Sequence, residues 1–126
     1  MCAVIELGIE RKLGVGGFDL VVLSDVIEHL YRPADLIATA AALLGPQGHL
    51  ILTTPYYGYL KNLALAITGR MDRHFCALED GGHIKFFNRK TLATLVEAHD
   101  FRDLKFSYYG RVSGLWMNMI VHARKG

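Results

Sequence analysis

The sequence predicts an α/β protein in which a parallel strand–helix–strand unit precedes a terminal pair of antiparallel strands. Two short apolar runs, residues 18–23 and 49–54, flank a segment whose apolar residues have helical spacing. Two further strand-like segments, residues 104–108 and 116–123, are joined by a short glycine-containing link. Parallel neighbours need a long crossover and antiparallel neighbours do not, so the first pair is parallel and the last pair antiparallel.

The first strand, residues 20–23, follows a glycine turn and is an apolar run without alternation. Such a run is typical of a strand buried on both faces, so we expect it to lie inside the sheet. Ser24, Asp25, Glu28 and His29 follow it closely. Ligand crevices form beyond the carboxyl ends of parallel strands, which makes these polar residues candidates for a site.

The helix of the unit begins near Pro33, which suits a first helical turn, and is stopped by Gly45 and Pro46. Its apolar face consists of Leu36, Ile37, Ala40, Leu43 and Leu44. The second strand spans residues 49–54 and ends at Pro55. Both strands then end at one edge of the sheet, so segments 24–29 and 53–57 are expected to line a shared pocket.

Two more helices are predicted downstream. Residues 59–67 have helical spacing, typical of a helix that packs in the core or covers a substrate. Asn88 is a good N-cap for a helix that turns Leu92, Leu95 and Val96 inward. Between them, residues 71–87 read as irregular; a segment of this length either folds over the pocket as a lid or is a surface loop without a role.

Composition narrows the class of protein. A chain of 126 residues that is 52% hydrophobic is expected to form one domain, over residues 1–126. A net charge of +2 without a basic stripe argues against a nucleic-acid partner. No apolar run approaches the roughly 20 residues of a membrane span, so no membrane partner is expected. Two cysteines form no disulfide framework, which favours a reducing, cytoplasmic location.

The residues before the first strand offer no cofactor loop of their own. Residues 3–7 are a candidate short strand, antiparallel to residues 20–23 or detached from them, because the connection is too short for a parallel crossover. The glycines at 14, 16 and 17 precede a strand. A phosphate-binding loop follows a strand and opens a helix, so we interpret these glycines as a plain turn.

Four blocks occur in order along the chain: FDLVV at 18–22, DVIEHL at 25–30, LLGPQGHLILTTP at 43–55 and GHIKFFN at 82–88. Together they resemble the C-terminal half of class I S-adenosylmethionine-dependent methyltransferases, in the branch that contains quinone-biosynthesis O-methyltransferases. The resemblance implies a partial Rossmann-like methyltransferase sheet and S-adenosylmethionine as cofactor. Two matched positions depart from the family: Asp25 stands where Glu is more frequent, and Tyr56 where Asn usually follows Thr-Thr-Pro.

The family binds its cofactor mainly through an N-terminal strand, glycine-rich loop and helix, and this sequence contains no such pattern. We therefore expect the chain to correspond to the back half of such an enzyme, with weak or no cofactor binding on its own. The strand at residues 20–23 would then have an unpaired apolar edge, a site for pairing. Residues 3–7, a second copy in a homodimer, or a separate partner chain are the candidates to cover this edge.

The resemblance also implies roles for the first polar cluster. Ser24, Asp25 and Val26 are expected beside the methionine part of the cofactor. His29 and His83 are candidate catalytic bases, because imidazole titrates near neutral pH. The alternatives are packing at the turn for His29 and a hydrogen bond that holds the loop for His83.

A substrate pocket is expected beside these bases. Glu28, Tyr56 and Tyr57 are its candidate residues, the alternatives being a structural acid for Glu28 and simple packing for the two tyrosines. No metal is expected from the segment 72–83, since the spacing of its acidic residues, histidines and cysteine matches no zinc pattern.

The predicted function is S-adenosylmethionine-dependent methyl transfer to a small-molecule acceptor. The alternative is a non-catalytic interaction or dimerisation module that uses the exposed sheet edge. Oxygen, nitrogen and carbon remain open as the methylated atom.

Overall fold

A four-stranded sheet with one parallel and two antiparallel pairings organises the chain. The computed structural model describes residues 17–75, 78, 80–110, 112–113 and 115–126. Its strands are β1 (Phe18–Ser24), β2 (Leu44–Pro55), β3 (Phe101–Tyr109) and β4 (Asn118–Lys125), in the spatial order β1-β2-β4-β3. Strands β1 and β2 are parallel, and β4 is antiparallel to both β2 and β3. The predicted mixed α/β sheet is confirmed.

The helices are α1 (Pro33–Leu43), α2 (Tyr59–Ile67), α3 (Met71–Phe75) and α4 (Arg89–Glu97), and a 3-10 turn spans Ile27–His29. Helix α3 lies within the segment that was predicted to be irregular throughout. Five residues are too few to show helical periodicity in a sequence, which explains the difference. In the described part of the chain, no helix combines the length and apolar character that a membrane span requires.

The hydrophobic core lies between one face of the sheet and the helices α1 and α4. Alternate residues of the central strands point into it, because successive side chains of a strand face opposite sides. The buried core side chains include Leu50 and Leu52 of β2, Met119, Val121 and Ala123 of β4, Leu36, Ile37 and Ala40 of α1, and Leu92 and Val96 of α4. The apolar faces predicted for α1 and α4 therefore pack as expected.

Helix α4 begins with a capping box, as the Asn88 signal predicts. The Asn88 side-chain oxygen accepts a hydrogen bond from the Thr91 backbone amide at 3.0 Å. The Thr91 hydroxyl accepts one from the Asn88 backbone amide, also at 3.0 Å. Two amides that have no partner within the helix are satisfied in this way.

Several strand boundaries differ from the prediction, among them the start of β3, at Phe101 rather than Leu104. Strand β2 begins at Leu44 rather than His49, because pairing with β1 continues past an irregularity between Phe18 and Leu20. The helix ends at Leu43, before the predicted stop at Gly45 and Pro46, and Leu44, predicted to lie on its apolar face, is already the first residue of β2. The last strand begins at Asn118 rather than Trp116, at the end of its ladder with Pro55.

Strand β1 is exposed on one side, so the prediction of burial on both faces was wrong. Leu20 is 49% exposed and Val22 is 57% exposed, whereas Leu23 on the opposite face is buried. In the described ranges β1 is at the edge of the sheet and pairs with β2 alone. The expected unpaired apolar edge agrees with this arrangement. The candidate strand at residues 3–7 lies outside the described residues.

Helix α2 is not a core helix, which corrects one of its two predicted roles. Leu60, Leu63 and Ile67 are each more than half exposed, and no residue of the helix is fully buried. Ala64 and Leu65 on its other side line a cleft. The spacing predicts an apolar stripe correctly, but spacing alone does not determine which surface covers that stripe.

Candidate functional site

The carboxyl ends of β1 and β2 meet, as the predicted strand–helix–strand unit requires. Ser24 pairs in register with Thr53. Beyond the strand, the Asp25 backbone amide donates to the Thr53 carbonyl oxygen at 3.2 Å and lies 3.1 Å from the Thr53 hydroxyl oxygen. Asp25 has a φ of 48°, in the left-handed region that Asp tolerates better than most residues. This bend takes the chain out of the sheet into the 3-10 turn.

The 3-10 turn directs Glu28 into the protein, where the carboxyl group is fully buried. The Thr54 hydroxyl, also buried, donates to Glu28 Oε2 at 3.1 Å. Burial raises the pKa of Glu28 above its ordinary value, and hydrogen bonds from its own backbone amide and from Thr54 offset part of that rise. The hydrogen bond between Thr54 and Glu28 directly joins the two segments, 24–29 and 53–57, that were predicted to line the pocket.

Residues 81–85 pack against this turn. The backbone amides of Ile84 and Lys85 donate to the Glu28 carbonyl oxygen at 2.9 and 3.0 Å. His29 Nδ1 lies 2.8 Å from the Gly81 carbonyl oxygen. Residues more than fifty positions later in the chain therefore hold the turn on its outer side. They belong to the segment 71–87, for which a lid was one of the two expectations.

Two histidine rings converge on the buried carboxyl group. His29 Nε2 lies 3.9 Å and His83 Nε2 lies 4.0 Å from Glu28 Oε1, and the ring centroids are 4.9 Å apart. His83 Nδ1 is 2.9 Å from the Tyr57 hydroxyl oxygen. Glu28 Oε1 is buried and has no hydrogen-bond partner among the described residues. An acceptor oxygen and two ring nitrogens thus face one small volume.

A cleft of about 710 Å³ opens beside His83, between the end of β2, the helices α2 and α3 and the approach to β4. Its lining combines apolar and basic side chains: Pro55, Tyr57, Lys61, Ala64, Leu65, Thr68, Arg70, Arg73, His74, His83, Leu115, Met117 and Asn118. The Tyr57 ring is held by Phe75, stacked at 6.0 Å between centroids, and by Phe86, edge-on at 4.9 Å. The cleft offers aromatic surface and positive charge next to a histidine.

Of the sequence-predicted residues, the structure brings Glu28, His29, His83 and Tyr57 into one cluster. Ser24 and Asp25 are exposed at the rim of the same strand end. Val26 instead packs partly against the core.

Tyr56, the other predicted pocket residue, lies apart from this cluster. Its ring packs edge-on against Tyr108 at 5.3 Å and against Trp116 at 5.9 Å.

Thr54 lies within the segment 53–57 that was expected to line the pocket, but sequence reasoning did not single it out as a site residue. Two threonines precede Pro55, and strand alternation requires one of them to face inward. The sequence could therefore predict that one of the two threonines faces inward. The contact of Thr54 with Glu28, by contrast, depends on the fold.

These features place the chain among α/β proteins whose polar groups cluster at the carboxyl ends of parallel strands. The family model described as a methyltransferase domain matches residues 10–105, and the chain belongs to this family. The family resemblance drawn from the sequence blocks is confirmed.

Comparisons with individual proteins agree with this assignment. The chain is 43% identical over 56 residues to the ubiquinone biosynthesis O-methyltransferase of Caulobacter sp. strain K31, a match over 44% of this chain and 22% of that protein. A SAM-dependent methyltransferase from Archaeoglobus fulgidus superimposes with a TM-score of 0.66 at 16% identity, over 97% of this chain and 66% of that one. The chain thus spans less than two thirds of either relative.

A third comparison includes ligands of the neighbour. A Burkholderia thailandensis 1,6-didemethyltoxoflavin-N1-methyltransferase, solved with bound 1,6-didemethyltoxoflavin and S-adenosylhomocysteine, gives a TM-score of 0.62 at 16% identity, over 89% of this chain and 45% of that one. At such identity the likeness establishes a shared fold.

Proposed function

We propose that this chain takes part in methyl transfer from S-adenosylmethionine to a hydroxyl group of a small aromatic acceptor. The observation that carries the proposal is the hydrogen bond from Thr54 to Glu28, which joins the ends of β1 and β2 into one site in a chain of the methyltransferase domain family. The name of the Caulobacter relative, an O-methyltransferase, supports oxygen as the methylated atom.

The end of β1 fits part of the cofactor. The Ser24 hydroxyl and the Asp25 carboxylate are exposed there, and the hydroxyl donates to the carboxylate at 3.4 Å. The oxygen atoms of both groups can also accept hydrogen bonds from a ligand. A carboxylate and a hydroxyl suit the ammonium group of a methionine moiety. We assign Ser24, Asp25 and Val26 to this moiety. S-adenosylmethionine supplies, when bound, a methyl group on a positively charged sulfur.

The acceptor is assigned to the cleft beside His83. The Tyr57 ring offers a flat apolar surface, and Lys61 Nζ lies 5.3 Å from the centre of that ring. Aromatic rings pack well on such a surface, and the positive charge favours a phenol as its hydroxyl loses a proton. Tyr56, in its own aromatic cluster, supports the wall of β2 rather than the acceptor itself.

His29 and His83 are the candidate bases. The acceptor oxygen would take the methyl group that S-adenosylmethionine supplies, and the electron pair of the broken carbon–sulfur bond would remain on the sulfur. The hydroxyl proton passes to an imidazole Nε2, and Glu28 at 3.9 and 4.0 Å stabilises the imidazolium that results. Residues 81–85 cover one side of the cluster through their hydrogen bonds to Glu28 and His29.

A transfer assay tests this proposal. The full chain is incubated with methyl-labelled S-adenosylmethionine and a panel of phenols, catechols, amines and thiols. We expect label in the phenols or catechols, and a loss of about 100-fold or more in the H29N/H83N double variant. His122→Asn is the matched control and is expected to retain the transfer rate. His122 lies on the face of β4 that points away from the core, since its neighbours Val121 and Ala123 are buried. Equal rates in the double variant and the control would contradict the assignment of the bases.

We also propose that the exposed edge of β1 is paired in solution, by a second copy in a homodimer or by another chain. The terminal position of β1 among the described strands and the exposed apolar side chains of Leu20 and Val22 support this proposal. Light scattering is expected to show an assembly larger than one chain. A monomer at all concentrations would argue against self-pairing.

A further inference from the structure

We propose that the cleft beside His83 contains an anion subsite formed by Arg70 and Arg73, so that the acceptor is a hydroxylated aromatic compound carrying a phosphate ester or a carboxylate. The inference rests on the proposed function, which assigns the acceptor to this cleft, and it adds the charge class of that acceptor. It is supported by one cavity of about 710 Å³ in which an aromatic wall, a candidate base and several cations meet.

The formal charges that line the cleft have one sign. Lys61, Arg70 and Arg73 are cationic, and none of the described residues that line the cleft is an aspartate or a glutamate. Asp72, the acidic residue of helix α3, is not part of the lining. The whole chain is nearly balanced, with a net charge of +2, so the cleft concentrates positive charge locally. A cleft lined by charges of one sign raises the local concentration of ligands of the opposite sign.

One face of helix α2 forms a wall of the cleft. Its residues in the lining are three, four and seven positions apart, which places them on one side of a helix: Lys61, Ala64, Leu65 and Thr68. The Thr68 hydroxyl donates to the Ala64 carbonyl oxygen at 2.6 Å, so its proton is already used within the helix. Recognition of a charged substituent along this wall therefore depends on the cationic side chains.

The backbone of Arg70 is fixed at the junction of α2 and α3. The Arg70 amide donates to the Leu65 carbonyl oxygen at 2.9 Å, and the Gly69 amide donates to the Ala66 carbonyl oxygen at 3.3 Å. With Gly69 at a φ of 64°, these two bonds form a Schellman motif that ends helix α2. The Arg70 carbonyl oxygen in turn accepts from the His74 amide at 3.2 Å.

The side chain of Arg70 is suited to an anion. It is exposed, and it forms no ion pair with any of the described residues. A guanidinium carries five N–H donors in a planar fork that matches the oxygen atoms of a carboxylate or a phosphate. Arg73, three positions further along the chain, lines the same cleft. Two guanidinium groups on one wall suit a substituent with two or three oxygen atoms.

The subsite is within reach of an aromatic ring that packs on Tyr57. The centroid of the His74 ring is 5.5 Å from that of the Tyr57 ring. Arg70 precedes His74 by four positions, about one helical turn, and a turn rises about 5.4 Å. An arginine side chain is long enough to bridge that distance. A ring on Tyr57 can therefore direct its hydroxyl group to His83 and a charged substituent to Arg70.

Calorimetric titration of the full chain with small aromatic probes tests the subsite without reference to methyl transfer. Phenyl phosphate, benzoate, benzyl alcohol and benzylamine share a phenyl ring and differ in charge. We expect at least one of the two anions to bind about tenfold more tightly than the alcohol and the amine. Added salt should weaken binding of the anions and leave the alcohol unaffected, because salt screens charge. Tighter binding of phenyl phosphate would indicate a phosphorylated acceptor, and tighter binding of benzoate a carboxylated one.

Substitution of the arginines locates the subsite. Arg70→Gln should weaken binding of the preferred anion roughly three- to tenfold and leave benzyl alcohol unaffected. The double variant Arg70→Gln, Arg73→Gln should remove most of the preference for anions. Circular dichroism checks that both variants fold.

Arg102→Gln is the matched control. Arg102 is exposed and pairs with Arg124, at the end of the sheet opposite to the cleft-lining residues Pro55 and Asn118. Anion binding should be unchanged in this variant. Equal affinity of the parent chain for all four probes would overturn the proposal, as would equal losses in Arg70→Gln and Arg102→Gln.

The transfer assay separates this inference from the proposed function. Preferential binding of anions without transfer to any acceptor would support the subsite and count against the proposed function. Transfer to neutral and anionic phenols at equal rates, unaffected by Arg70→Gln, would overturn the subsite and leave the proposed function intact.

Discussion

Glu28 shows how one buried side chain can define a site. Its carboxyl group is enclosed by the 3-10 turn, by the end of β2 and by the segment that contains His83. The motif at residues 25–30 marks Glu28 and His29 as candidates, and the structure brings both together with His83. The sequence could not reveal that partner, because its position depends on how residues 80–87 pack against the turn.

Thr54→Val tests the bond to Glu28. The substitution keeps the shape of the side chain and removes the hydroxyl, leaving Glu28 Oε2 without its donor. We expect the free energy of unfolding to fall by about 1–3 kcal/mol, measured by urea denaturation. Thr94→Val, on the exposed side of α4, is the matched control and should change it by less than about 0.5 kcal/mol. Equal effects of the two substitutions would contradict the role of Thr54.

Tyr57→Phe tests the hydrogen bond between the Tyr57 hydroxyl and His83. The phenol holds His83 Nδ1 at 2.9 Å, so its loss should change the tautomer population of the ring. Nitrogen-15 chemical shifts of the imidazole report this population directly. Tyr31→Phe, at an exposed position, is the control and is expected to leave the shifts unchanged. Unchanged His83 shifts in Tyr57→Phe would show that the hydroxyl does not orient the ring.

Among the elements, the helices show what periodicity does and does not predict. Spacing located α1, α2 and α4 correctly, and the apolar faces of α1 and α4 pack in the core. The stripe on α2 is equally regular but exposed. An apolar face indicates that a helix has a side to bury, whereas the surface that buries it depends on the tertiary arrangement.

A pair of leucine truncations measures this difference between helices. Leu92 of α4 is fully buried, so Leu92→Ala should lower the free energy of unfolding by about 2–5 kcal/mol. Leu63 of α2 is 58% exposed, so Leu63→Ala should change it by less than about 0.5 kcal/mol. Thermal and urea unfolding provide the values. A large loss in Leu63→Ala would mean that this face is covered in solution.

Asn88→Ala tests the start of α4, the boundary that local signals predict best. Loss of the side-chain acceptor leaves the Thr91 amide unsatisfied and should cost about 1 kcal/mol. Asn88→Ser, which keeps an N-cap oxygen, should recover most of this loss. Equal destabilisation by both substitutions would point to a role of Asn88 other than capping.

At the scale of the whole molecule, the directions within the first and the last strand pair were predictable, whereas the strand order and the burial of β1 were not. An apolar run without alternation suits a strand with both faces covered, and the sequence of β1 matches that pattern. In the structure Leu23 faces the core while Leu20 and Val22 are exposed. The pattern therefore indicates that both faces of β1 are suited to burial. The described residues bury only the face that carries Leu23.

The strand topology explains why the approximate position of the site was predictable. Two parallel strands joined by one helix must end at the same edge, so segments 24–29 and 53–57 were expected to meet. Their contact through Thr54 and Glu28 follows from that topology. The cleft behind Tyr57 was not foreseen, because it is formed by α2, α3 and the approach to β4, which are distant in sequence.

The most direct test of the central claim is a nuclear magnetic resonance titration of the full chain with S-adenosylhomocysteine. We predict dose-dependent shifts in the backbone amides of Ser24, Asp25 and Val26, even where the affinity is weak. The amides around His122, on the opposite side of β4, should not move. Shifts absent from the end of β1 at saturating ligand, or confined to the region of His122, would contradict the claim that this strand end is the methyl-transfer site.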